Sequence, residues 1–212
     1  MTRPWLALLL LVGIDRVAHA DCYDALDKLG VAYKALSTPR DVAMPVEVDG
    51  PLGGVIYLPF AGGDPRRNPL VLDCSLVYSL AVAGPMLADD GIAFAYFGDA
   101  YHYRFVKGTS RLSKHSFGLA LDVHSFAGAA GAHPLSVAAN YEKGLGRGRD
   151  CLGRPDGDNA KRLRLLWCRL ERSELFKLVL DPDFDEDHRD HFHLQALSWA
   201  ERDDLEWRGA TR

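Results

Sequence analysis

The chain has 212 residues, 48% hydrophobic and 25% charged, enough apolar side chain for a sizeable core and unlike a disordered or collagen-like polymer. With 25 Lys plus Arg against 29 Asp plus Glu it is mildly acidic, and it carries no basic run, which excludes nucleic acid as the main partner.

Residues 1–20 read differently from the rest. Arg3 gives a positive start, Leu6 to Val12 an apolar run, and Ala18-His19-Ala20 a small-x-small cleavage pattern. This is the layout of a secretory signal peptide, too short to remain as a membrane span. Ala20-Asp21 before Cys22 does not suit a lipoprotein cleavage site. The expectation is therefore a periplasmic or secreted chain, 21–212, forming one domain with no stable membrane insertion. Its net charge would be −5, with 23 basic and 28 acidic residues. The sequence leaves its oligomeric state open. Cys22, Cys74, Cys151 and Cys168 are even in number and contain no C-x-x-C pair, which favours two disulfides over a cysteine zinc site. Cys151 and Cys168 bracket a short loop entering one helix and are expected to pair, leaving Cys22 with Cys74.

In chain order, residues 22–35 have the spacing of a short helix through Ala25, Leu26 and Leu29. Residues 36–70 are rich in Pro and Gly and read as loops with short strands such as Gly54 to Leu58. Asp73 to Leu87 is the strongest early helix, which Pro85 should kink or end. Ile92 to Phe97, residues 118–124 and residues 191–196 are strand candidates. Gly128 to Gly157 reads as loop, a candidate wall of a substrate cleft. Its Gly144-x-Gly146-x-Gly148 series lacks the strand and helix that a phosphate loop needs. Asp158 is placed to cap a helix to about Leu170, with a core stripe of Leu163, Leu166, Trp167 and Leu170. Strands and helices without regular alternation predict an α+β domain.

Two histidine clusters carry the chemistry. One runs from Ser113 through His115 and Gly118 to Asp122; the other is His188-Arg189-Asp190-His191-Phe192-His193. In a strand over 119–124, Leu119, Leu121 and Val123 take one face and Ala120, Asp122 and His124 the other. In the second segment His191, His193 and Gln195 lie opposite Phe192 and Leu194. If the strands are neighbours, about 4.8 Å apart, Asp122 and His193 converge on one ion. A bend at Gly118 lets His115 close over as a third ligand. Two imidazoles and one carboxylate suit Zn2+ and leave a fourth position open, as in catalytic sites.

The residues also carry a resemblance. Ser-x-His-x-x-Gly-x-Ala-x-Asp, present as Ser113 to Asp122, resembles the first signature of the zinc peptidases that include lysostaphin, D-alanyl-D-alanine metallopeptidases and hedgehog-type domains. The ending His188-x-x-His191-Phe192-His193 is similar to that of penicillin-insensitive murein endopeptidases. Leu175 to Pro182 leading into Asp190 to Leu194 looks closest to bacterial extensin-like C-terminal domain proteins, a resemblance spanning roughly residues 22–196. It implies His115, Asp122 and His193 as zinc ligands and a small antiparallel sheet flanked by helices. It also implies an arginine, Arg104 after Tyr103, that meets substrate or a developing negative charge; a surface salt bridge is the other reading of Arg104. The Glu-x-x-His ending of the carboxypeptidase branch is absent, so the proton carrier falls to His191 or His188. The implied activity is zinc-dependent hydrolysis of peptidoglycan stem peptides, by an endopeptidase or D,D-carboxypeptidase. The alternative is a non-catalytic wall-binding domain that keeps the fold.

Overall fold

The computed structural model describes residues 21–60, 69–128, 133–146, 151 and 153–203. The expected signal segment, 1–20, lies outside the described residues, as does Gly148. No helix among the described residues is long and apolar enough to cross a membrane.

Helix α1 (Cys22–Lys28) starts on the Asp21 carboxylate, which accepts from the Asp24 N–H at 3.0 Å. It stops earlier than its periodicity suggests. Gly30 turns the chain, and residues 33–35 form strand β1 (Tyr33–Ala35) because they pair with β2 (Pro45–Val48). Strand pairing here overrides local helical spacing. Beyond β3 (Ile56–Pro59) and β4 (Val71–Asp73), helix α2 (Cys74–Asp89) is capped by buried Asp73, which accepts from the Ser75 N–H at 2.9 Å. Pro85 lies inside α2 and does not end it; one further turn follows.

The remaining elements are β5 (Phe94–Asp99), a 3-10 turn (Lys114–Phe117), β6 (Ala120–Ala127), β7 (Leu135–Ser136), α3 (Val137–Asn140), α4 (Asp158–Arg172), β8 (Leu178–Leu180), a 3-10 turn (Glu186–His188) and β9 (Phe192–Gln195). The region expected to be loop between Gly128 and Gly157 thus contains β7 and α3. Asp158 is the first residue of α4, not its cap. The Glu142 carboxylate instead accepts from the N–H groups of Asp156 and Gly157, both at 2.9 Å, just ahead of the helix.

The fold is α+β. Strands β1, β2 and β4 form one antiparallel sheet; the second runs β3-β5-β6-β9-β8, with β7 against the far end of β6. The second sheet is antiparallel except that β3 runs parallel to β5, so it is mixed where an all-antiparallel sheet is expected. Leu121 faces Leu194 and Val123 faces Phe192 across β6 and β9, and all four are buried with α2 and the stripe of α4 in one core. Trp167 of that stripe donates its indole N–H to the Val179 carbonyl at 3.2 Å, fixing α4 to β8.

Both disulfides pair as the spacing predicts, Cys22–Cys74 and Cys151–Cys168. The first ties α1 to the start of α2; the second closes 17 residues of chain onto α4. Removing Cys151 and Cys168 together by serine substitution is expected to cost about 3 kcal/mol through the unfolded chain, measured by urea unfolding. Non-reducing peptide mapping should return these two pairs and no free thiol.

Arg164 of α4 is fully buried. Its guanidinium donates to the Tyr141 hydroxyl at 3.1 Å, to the Glu142 carbonyl at 3.3 Å and to the Gly146 carbonyl, and pairs with Asp183 at 3.5 Å. Tyr141 in turn donates to Asp181 at 2.6 Å. One cation thus holds the 141–146 and 181–183 loops to α4. Arg164→Met should cost roughly 3–5 kcal/mol of unfolding free energy, because it strands buried acceptors and a carboxylate. A loss under about 1 kcal/mol in urea would refute that role.

Candidate metal centre

Strand β6 carries the centre because it is internal and irregular. Its first half pairs with β9, setting Asp122 directly opposite His193, and its other edge pairs with β5, setting Asp99 opposite Asp122. The β5–β6 register skips His124 on one strand and Gly98 on the other. This double bulge shifts the phase of alternation. Leu121 and Val123 enter the core, but the next core residue is Phe126, packed on Phe192 at 5.9 Å.

His115 comes from the 3-10 turn before β6, capped at its start by Ser113 and ended by Gly118 at φ 65°. That left-handed position suits glycine, and a Cβ there would also stand 2.6 Å from the Asp73 nitrogen. The turn swings the His115 ring back over the strand. Its Nδ1 lies 2.8 Å from the Ala100 carbonyl, which can only accept, so Nδ1 carries the proton and Nε2 bears the lone pair of the neutral ring. That lone pair points at a carboxylate oxygen, Asp122 Oδ1, 3.3 Å away. His193 Nδ1 stands 2.7 Å from the same oxygen. All three residues are buried and group as a set able to hold a metal ion.

Two facing acceptors in a buried site need a proton or a metal cation between them. His115 Nε2 has no hydrogen-bond partner among the described residues. Ligand atoms around tetrahedral zinc stand about 3.3 Å apart, given bonds near 2.0–2.1 Å. The His115–Asp122 spacing already fits; the His193–Asp122 contact is a hydrogen bond that an ion would replace. Electrostatics agree. Burial alone would raise the Asp122 carboxyl, but the His115 ring and the His193 hydrogen bond hold it well below the usual carboxylate range. Burial works to lower His115, yet the Asp122 charge, with Asp99 behind it, leaves it raised. For His193, burial prevails over Asp122 and its pKa is lowered.

His191 and His188 both stand beside this cluster. His191 precedes β9 instead of lying within it; its Nε2 is 3.5 Å from Asp122 Oδ1, and its Nδ1 is held by Asp190 at 2.9 Å. His188 sits on its 3-10 turn with Nδ1 held by Asp185 at 2.6 Å, its ring 5.5 Å from that of His193. Its ring and its main chain are thus both held by Asp185. Arg104 makes the salt bridge allowed by one of its two readings: Nε and Nη2 both lie 3.2 Å from Asp99 Oδ2, which is 4.0 Å from His115 Nδ1. The Arg104 side chain remains 38% exposed next to the cluster.

Asp99, Asp190 and Asp185, which orient these groups, were not legible as site residues. Each is a single acid in an acid-rich chain, and only pairing and turn geometry select them. A second group able to hold a metal, His124, Asp190 and His191, adjoins the first.

No curated protein and no solved structure matches the chain at a significant level. The family model for the extensin-like protein C-terminus matches residues 89–203, starting just ahead of β5 and covering every residue of the centre, but not the 22–88 stretch included in the resemblance. More than half of the chain is covered, and the chain belongs to the extensin-like protein C-terminus family.

Proposed function

We propose that the chain is a zinc-dependent peptidase of the lysostaphin and D-alanyl-D-alanine metallopeptidase type, acting on peptidoglycan stem peptides outside the inner membrane. The observation that carries this reading is the buried His115 lone pair aimed at the buried Asp122 carboxylate, with His193 on the same oxygen. The motif resemblance supports the substrate class, and two disulfides support an oxidising compartment.

His115, Asp122 and His193 would hold the ion. Zinc so bound supplies Lewis acidity, lowering the pKa of water and polarising a carbonyl. The chain's own groups do the rest. His191, its Nδ1 fixed by Asp190, presents Nε2 to the centre, where it takes a proton from the attacking water and returns it to the leaving amine. Arg104, braced by Asp99, offers positive charge to the peptide carboxylate or the tetrahedral intermediate. Exposed Phe184, packed on His188, gives apolar surface to the substrate's methyl groups.

The test is release of peptides from purified peptidoglycan by the mature chain, with and without chelator, beside a pelleting assay. Metal-dependent release, with the cut bond identified by mass spectrometry, supports the peptidase. Co-sedimentation without release would establish the wall-binding alternative instead.

A pH prediction follows from the raised pKa of His115. Below that pKa the proton between His115 and Asp122 competes with the ion; above it the ring is neutral and free to bind. Zinc affinity should therefore fall as pH drops through the His115 titration, approaching tenfold per pH unit for one released proton. Titrations in buffers of different ionisation enthalpy should count that proton. Affinity independent of pH from 5 to 8 would contradict the arrangement.

A further inference from the structure

The second histidine–carboxylate group lies outside the three ligands and has no role in the mechanism as a set. His124, skipped in the β5–β6 register, lays its ring over Gly98, where a Cβ would stand only 2.3 Å from Nε2. Its other neighbour is Phe60, stacked at 4.9 Å with an interplanar angle of 18°. A glycine beneath and a phenyl ring beside it hold the imidazole in place. Its Nδ1 is 4.0 Å from Asp190 Oδ2, too far for a hydrogen bond and suited to two ligands sharing an ion. The other Asp190 oxygen, Oδ1, holds His191 Nδ1, and the His124 and His191 rings lie 5.1 Å apart. The ligand atoms of the three residues fall within 4.8 Å of one another.

We propose that His124, Asp190 and His191 form a second, weaker divalent-metal position beside the first, and that zinc there silences the site by occupying the lone pair of His191. A neutral imidazole has one lone pair, and the other nitrogen carries hydrogen. Whichever nitrogen of His191 binds the second ion, the remaining one is an N–H donor that cannot accept a proton from water. The position is the weaker of the two because it is more open, with Asp190 39% exposed. Silencing rests on the peptidase reading above; binding of the second ion does not.

The experiment titrates the metal-free mature chain with zinc chloride against a chromogenic chelator, then follows peptidoglycan hydrolysis over the same zinc range. The wild-type chain should take up two equivalents, the second in a separate and weaker phase. His124→Phe, which keeps an aromatic ring between Gly98 and Phe60, should take up one. Wild-type turnover should fall as the second phase fills, whereas His124→Phe keeps its rate. Should His124→Phe fail to fold, Asp190→Asn tests the same loss of the second equivalent. A single equivalent in the wild type, or two of unchanged affinity in the folded variant, would overturn the second position. Two equivalents in the wild type and one in His124→Phe, with no hydrolysis by either, would uphold the position while overturning the peptidase reading and the silencing that rests on it.

Discussion

His191→Ala is expected to keep its fold and its first metal equivalent while losing turnover by about 10²–10⁴-fold, the scale of a general base. The side chain lies outside the apolar core cluster, among the rings of His124 and His188, with one nitrogen on Asp190 and the other 3.5 Å from Asp122. The assay belongs at zinc just sufficient for one equivalent, so that the second position does not intrude. His188 is the control. It has its own carboxylate, Asp185, and its ring lies 5.3 Å from that of His191, so it can relay or replace the proton carrier. A modest loss in His188→Ala beside a large one in His191→Ala supports the assignment. Wild-type rates in His191→Ala with zinc intact would move the role to His188.

Asp122→Ala is expected to abolish both metal binding and hydrolysis. The carboxylate is the shared partner of both ligand histidines, at 3.3 Å and 2.7 Å, closer to His115 than Asp99 at 4.0 Å. Without it His115 and His193 are two buried imidazoles that have lost the carboxylate they share to set against a dication. Zinc bound per chain, measured by elemental analysis after gel filtration, should fall from near one to near zero; His115→Ala and His193→Ala should behave likewise. Asp122→Asn separates charge from shape: it fills the same space and should still lose the ion. A folded Asp122→Asn chain that keeps stoichiometric zinc would place the metal elsewhere.

The sequence by itself determined the α+β class, the α2 and α4 cores and the Cys151–Cys168 pair, because each depends on local periodicity or short spacing. Cys22–Cys74 followed as the remaining pair, and the opposition of Asp122 to His193, 71 residues away, depended on their strands being neighbours, which the pairing of β6 with β9 decides. It misjudged places where distant pairing competes with local pattern. Residues 33–35 leave the helix to pair with β2. Strict alternation along β6 could not foresee the double bulge at Gly98 and His124, since a skipped register is a property of two strands together. That bulge sets Asp99 opposite Asp122 and turns His124 toward Asp190 and His191, beside the first centre. The acids that orient Arg104, His188 and His191 became identifiable only once the chain was folded, because a carboxylate acquires a role from the nitrogen a few ångströms away and not from its neighbours in sequence.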